Sequence, residues 1–268
     1  MSQTANQTAS QTVSQTVIPI DIHTHFMPKN PGEAIIQCTE KDSFELEPGE
    51  YYSFGIHPNY CNDINTILQQ DPSHTISSLR MQIKRATTLP ASKFIVAIGE
   101  IGIDRELAKQ QAGLLLSVLP VEMAAADDVT GIEIALSLQD SFYRLQLQIA
   151  KKNKKPVILH CVGAYDLITN GLTKKEISAS HMILHGFRRK PEEAKRALKD
   201  GFYLSFGRLF NEETLKMVPD DRLFFETDAD PLADIEEIYA RAAQLRGTTP
   251  EALKDVVRAN VSRVFGIK

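Results

Sequence analysis

The sequence has no tryptophan and only three cysteines, Cys38, Cys61 and Cys161. An odd set without C-x-x-C spacing excludes a disulfide framework and a cysteine-only zinc site. It implies reduced thiols in a cytoplasmic protein. Cys161 follows His160 directly, but neighbours on a strand face opposite ways, so the thiol reads as structural and not as a ligand. No run of about eighteen apolar residues occurs, which excludes a transmembrane helix and gives no reason to expect a membrane partner. An excess of one charge is missing too. Thirty Lys and Arg against 34 Asp and Glu leave a net charge of −4, which denies the chain a general basic footprint. A polyanionic partner would have to be held by a local patch or by metal. Nothing in the sequence points to a protein partner.

What is present is ordinary globular composition, with 43% hydrophobic and 24% charged residues, enough for a substantial core. Residues 1–16 repeat Ser, Gln and Thr and read as a disordered polar tail. The tail lacks the positive start and apolar centre of a secretory signal. Residues 17–268 remain, close to the roughly 250 residues of a single (β/α) barrel domain.

Short apolar runs bounded by Gly or Pro predict strands at 17–22, 34–37, 51–56, 94–98, 157–159, 182–184, 202–206 and 223–225. Helical periodicity predicts helices at 141–152, 191–199, 235–245 and 250–265. The alternation implies parallel βα units, hence an α/β fold of TIM-like barrel type. Residues 105–139 break the rhythm and read as an insertion after the fourth strand.

The titratable residues are placed systematically. His23, His25, Glu100, His160, His185 and Asp228 all sit where an apolar run ends. In a parallel barrel those ends share the rim on which active sites form. His23 and His25 are two apart, so on a strand both rings face one side. Imidazoles with carboxylates suit Zn, Mn, Fe or Mg, and six such residues exceed one tetrahedral site. His57, in Gly55-Ile56-His57-Pro58, belongs to the same rim as a residue facing substrate or supporting a ligand. Glu226 and Asp104 could orient ligands or form plain structural hydrogen bonds. Arg188 and Arg189 follow His185 closely and could meet flanking phosphates, or decorate the next helix in solvent. His181 precedes its strand and belongs to the opposite rim, and His74 lies in a polar stretch.

Six motifs together resemble the TatD family of metal-dependent hydrolases, within the amidohydrolase-like barrels. They are Asp21-Ile22-His23-Thr24-His25, Gly55-Ile56-His57-Pro58, Gly99-Glu100-Ile101-Gly102-Ile103-Asp104, Pro156-Val157-Ile158-Leu159-His160-Cys161, Ile183-Leu184-His185-Gly186-Phe187 and Glu226-Thr227-Asp228. A closing Asn260-Val261-Ser262-Arg263-Val264-Phe265-Gly266 is similar to the family's last helix. The resemblance implies His23, His25 and Asp228 on one metal, His160 and His185 on a second, and Glu100 bridging both. It further implies two divalent ions (Mg, Mn or Zn) and hydrolysis of DNA phosphodiesters, with Asp228 and Glu100 as the catalytic carboxylates. Three departures leave open an alternative, a small ester, amide or phosphate substrate. They are Val162 in place of a basic residue, a short segment before Gly55, and the insertion after Asp104.

Overall fold

Eight parallel strands, each hydrogen-bonded to the next in chain order, form a single sheet in the computed structural model of the chain. The structure describes residues 18–38, 46–59, 93–118 and 128–268. The polar tail, Cys61, His74 and residues 119–127 of the expected insertion lie outside the described residues. The strands are β1 (Asp21–Thr24), β2 (Ala34–Cys38), β3 (Tyr51–Phe54), β4 (Ile95–Asp104), β5 (Val157–Val162), β6 (Met182–Leu184), β7 (Tyr203–Phe206) and β8 (Leu223–Phe225). The described helices are α1 (Arg105–Val118), α2 (Asp128–Asn153), α3 (Tyr165–Thr169), α4 (Lys174–Ala179), α5 (Pro191–Asp200), α6 (Glu212–Met217), α7 (Ile235–Arg246) and α8 (Pro250–Phe265). None of them is long and apolar enough to cross a membrane.

The sheet nearly closes on itself. Asp228 N donates to His23 O at 2.9 Å, and His25 N donates to Asp228 O at 3.2 Å. These two bonds form a parallel bridge between Thr24 and Asp228. Their burial explains why the strands read as unbroken apolar runs: β2 and β7 are buried at every position. Phe202, Phe206, Phe224 and Phe225 fill the β7–β8 side of the core. Asn260 on α8 closes that side, donating to the carbonyls of Asp220 and Leu223.

The strands near the site run further than the apolar signal suggests. β4 carries Glu100 inside it, and β5 carries His160. The reason lies in the glycines, which read as terminators but act as spacers. Gly102 sits at φ +151 beside His160, and a Cβ there would come 1.9 Å from the His160 carbonyl oxygen. A Cβ on Gly55 would meet the Gly99 carbonyl carbon at 2.6 Å. Backbone contact this close lets β3, β4 and β5 crowd together and turns Glu100 inward.

The helix expected at 141–152 extends from Asp128 to Asn153. Gly131 and a polar inner face hide its first half from a hydrophobic-period reading. That face uses glutamines where leucines were sought. Gln139 Oε1 accepts from Asp104 N at 2.8 Å, and Gln139 Nε2 donates to Gln111 on α1. Gln146 both accepts from and donates to the Ile56 backbone. The segment expected as an insertion is thus, where described, a helical layer clamped to the ends of β3 and β4.

Gly102→Ala is expected to destabilise the protein by about 2 kcal/mol or more, since it adds backbone strain and a direct overlap with β5. Urea unfolding reads the difference. A loss under about 0.5 kcal/mol would contradict the close-contact account.

Candidate metal centre

Alternation along a strand places every second side chain on one face, and β1 shows the outcome. Asp21, His23 and His25 all turn toward the rim. Asp21 is the deepest and accepts from His23 N, Thr227 N and the Thr227 hydroxyl. Burial pushes its carboxyl up to about 7, although the Thr227 hydroxyl opposes the shift. His23 is fully buried, and neither ring nitrogen has a hydrogen-bond partner. Its Nε2 stands 3.4 Å from Glu100 Oε2 and 3.5 Å from Asp228 Oδ1, near enough for attraction but misaligned for hydrogen bonds. His25 Nε2 lies 3.6 Å from the same two oxygens.

The other oxygen of Glu100 faces a different set of rings. Oε1 is 2.6 Å from His160 Nδ1 and 2.6 Å from His185 Nε2. Those two nitrogens are 3.3 Å apart. His57 Nε2 lies 3.3 Å from Oε1. One buried carboxylate therefore divides its oxygens between β1 and the β3, β5 and β6 ends. The structure brings together all six residues expected as ligands, and adds His57.

The far nitrogens sort these histidines. His160 Nε2 lies 2.8 Å from Asp104 Oδ2, and His185 Nδ1 lies 3.3 Å from Glu226 Oε1. A carboxylate holding the far N–H turns the near nitrogen toward Glu100, so that its lone pair becomes available to a metal once the near proton is displaced, the usual arrangement behind a metal-bound imidazole. His57 is reversed. Its Nδ1 accepts from Asn59 N at 2.9 Å, which assigns the ring proton to Nε2, on the side facing Glu100. His57 thus turns an N–H into the site, within ligand distance of Glu100 and His160.

The supporting carboxylates are themselves fixed. Asp104 Oδ1 accepts from Glu106 N and Leu107 N and so caps α1. Glu226 accepts from Gly186 N and the Ser205 hydroxyl. Sequence reading left Asp104 and Glu226 between an orienting and a structural role, and in the structure each bonds a site histidine. It missed Asp21, Ser205, Gln111, Gln139 and Gln146. For Asp21 a signal was available: the same two-residue period that pairs His23 with His25. Arg188 and Arg189 are exposed, and with His185 they line a neighbouring cavity. His181 sits at the start of β6, at the other rim, 3.4 Å from the Tyr203 hydroxyl.

The charges explain why this donor set fits a cation. Burial opposes charge on Glu100, but His185, His160 and His23 outweigh it and hold the carboxyl well below its usual range. Asp228 is likewise held low, chiefly by His23 and His185 against its burial. Burial pulls His23 down, yet Asp228 and Glu100 raise it from 6.5 to about 9. His185 is pushed well up by Glu100 and Glu226 against its own burial. Protons on these rings balance the carboxylates, and a divalent ion would replace them. The orphaned nitrogens of His23 and the His160 and His185 nitrogens turned toward Glu100 fit that exchange, and His with Asp and Glu is a suitable donor set.

A pH dependence follows with a definite sign. A histidine raised from 6.5 to about 9 stabilises the metal-free fold below pH 6.5, and that contribution fades as pH rises through 9. Asp21, raised from 3.8 to about 7, acts in the same direction over its own lower interval. The melting temperature of metal-stripped protein is expected to fall between pH 6.5 and 8.5, while the gain on adding Mn²⁺ or Zn²⁺ grows. Thermal scans with and without metal test both trends. A stripped protein whose melting point ignores pH would contradict the assignment.

Comparison with known proteins agrees with this geometry. The family of TatD related DNases matches residues 38–266. That span starts beyond His23 and His25, so their place in the centre rests on the strand geometry. The chain is 27% identical over 235 residues to the uncharacterized metal-dependent hydrolase YcfH of Escherichia coli K12, across 81% of this chain and 74% of YcfH. It is 26% identical over 198 residues to the uncharacterized metal-dependent hydrolase YabD of Bacillus subtilis 168, across 67% and 68%. It is 29% identical over 153 residues to the 3′-5′ ssDNA/RNA exonuclease TatD of Citrobacter koseri, across 48% and 59%. The crystal structure of YjjV, a TatD homolog of E. coli K12, superposes with a TM-score of 0.63 at 19% identity, across 94% of this chain and 99% of YjjV. A TatD family hydrolase of Entamoeba histolytica gives 0.63 at 15%, across 95% and 100%. These two likenesses show the barrel fold. With a match across most of its length, the chain belongs to the TatD-related DNase family of metal-dependent hydrolases.

Proposed function

We infer that the chain hydrolyses phosphodiester bonds of nucleic acid, most readily DNA, with two divalent cations. The observation that carries this reading is the divided carboxylate of Glu100, whose oxygens face two separate groups of imidazoles. His23, His25 and Asp228 would hold one ion and His160 and His185 the other, with Glu100 shared. Mg, Mn and Zn all suit such donors. Bound there, the cations would supply concentrated positive charge for a phosphate and for the oxygens that enter and leave it. The relative named as an ssDNA/RNA exonuclease supports nucleic acid as the substrate class.

The chain's own residues take the remaining roles. Asp228 is the site carboxylate that reaches solvent, with its side chain 38% exposed against 4% for Glu100. It is also held ionised, so it is placed to take the proton of an attacking water. His57 points an N–H into the same space and is placed to donate a hydrogen bond to the departing oxygen. Asp104 and Glu226 act through His160 and His185 by fixing their rings. The rival reading, a small ester, amide or phosphate substrate, draws support from Val162, at a position where the family resemblance implies a basic residue.

Single-stranded DNA incubated with Mg²⁺ or Mn²⁺ tests the two readings together with a panel of small esters. The wild type is expected to bind two ions per chain by elemental analysis and to degrade DNA. Asp228→Asn is expected to lower kcat by about 100-fold or more. Asp104→Asn is expected to cost about 10- to 100-fold in metal affinity while the second ion is lost first. DNA left intact under full metal loading, with a small ester turned over, would move the function to the rival reading.

A further inference from the structure

The described arginines fall into two groups. Arg105, Arg144, Arg208, Arg241, Arg246 and Arg258 each hold a carboxylate at 2.5–3.0 Å. Arg222 lies by Asp221 and the Gly201 carbonyl, and Arg263 holds the Asp221 carbonyl and the Asn260 amide oxygen. The guanidinium groups of Arg188, Arg189 and Arg196 hold no carboxylate or carbonyl among the described residues. All three line one cavity of about 560 Å³, and the wall of that cavity includes His185 of the metal centre.

The acids in the cavity wall are already engaged. Asp166 is held by both terminal nitrogens of Arg105. Glu193 accepts from Lys190 N at the start of α5. Arg196 stacks on the Tyr165 ring at 4.6 Å, a contact that steadies its plane and leaves its N–H edges free. Burial keeps the Cys161 thiol neutral by pushing it up to about 11. Three guanidiniums free of carboxylate partners therefore share a wall in which Glu193 is the one acid without a cationic partner among the described residues, and that wall includes the candidate ligand His185. Arg presents donors in a fork that fits phosphate oxygens two at a time.

We propose that this cavity is an anion subsite that takes a second phosphate of the substrate, next to the bond held at the metal centre. The proposal deepens the phosphodiesterase reading and rests on it for the identity of the substrate. The substrate class narrows accordingly to phosphodiesters that carry a further phosphate, as a strand of nucleic acid does. A simple diester would leave the three arginines unpaired.

Two measurements test this. In the first, inorganic phosphate is titrated calorimetrically into protein stripped of metal over a chelating resin. Wild type is expected to bind, with affinity lowered about tenfold in R188Q, R189Q or R196Q. The control K195Q, on the exposed part of the same helix, is expected to match wild type. In the second, the probes are p-nitrophenyl esters of thymidine 5′-phosphate, with and without a 3′-phosphate, and of thymidine 3′-phosphate, with and without a 5′-phosphate. With Mn²⁺ the added phosphate is expected to lower KM about tenfold in one of the two pairs, and the arginine variants are expected to bring that ratio close to one. Absent phosphate binding, binding indifferent to all three variants, or equal KM within both pairs would overturn the subsite. Arginine-dependent phosphate binding with none of the esters turned over would uphold the subsite and overturn the phosphodiesterase reading.

Discussion

The buried carboxylate of Glu100 is the constraint around which the barrel rim is arranged. An isolated carboxylate in a protein interior costs several kcal/mol, and the group survives only when opposite charge meets it. Here five histidines meet it, from β1 and the residue after it, β5, the β6 end and the loop after β3. Each of those rings must then be held against its own freedom to turn. Asp104 and Glu226 hold two of them, and Gly186 N and Ser205 in turn hold Glu226. The requirement passes outward from one side chain to α1, α2 and β7. The glycines at 55, 99 and 102 belong to the same chain of causes, since only close backbone packing brings Glu100 to the centre.

Barrel closure and the candidate metal centre share a residue. Asp228 offers its side chain to the centre, while its backbone exchanges hydrogen bonds with His23 and His25. Its φ of +55 is uncommon for a residue other than glycine. The surrounding bridge must impose that conformation, and aspartate tolerates it better than a β-branched residue would. A displacement of β8 relative to β1 would therefore open the barrel and scatter the clustered imidazoles and carboxylates together. Tyr239 braces the joint from outside, donating from α7 to the Ile20 carbonyl.

The sequence made this site legible because strand geometry has a period of two and barrel strands end on a common rim. Asp21-Ile22-His23-Thr24-His25 reveals its facing from spacing alone, and the ends of β4, β5, β6 and β8 converge once a parallel barrel is accepted. The α5 and α8 boundaries were readable from Pro191, Gly201 and Pro250, which mark helix ends by chemistry independent of partners. The helical layer of α1 and α2 was not readable as a layer packed against the barrel. Its inner face is committed to hydrogen bonds with the ends of β3 and β4, through Gln111, Gln139 and Gln146. Glutamine on a helix normally signals solvent, so a polar residue spent on a buried backbone partner is invisible to periodicity. Whether Asp104 supports a ligand was equally hidden, because it depends on a register that brings Gly102 beside His160.

Net charge was the least informative property of the sequence, and the arginines show why. A value of −4 counts every cation equally. In the folded chain most described arginines are neutralised by a carboxylate of their own, and those pairs present little field beyond a Debye length. What a ligand meets is the unpaired remainder. Among the described arginines that remainder is Arg188, Arg189 and Arg196, beside the rim where the buried imidazoles gather. The carboxylates responsible for the negative total are largely spent: on histidines at the centre, on helix starts, and on the other arginines. A chain of slightly negative total charge can thus present a locally positive site to a phosphate, provided folding pairs its charges unevenly.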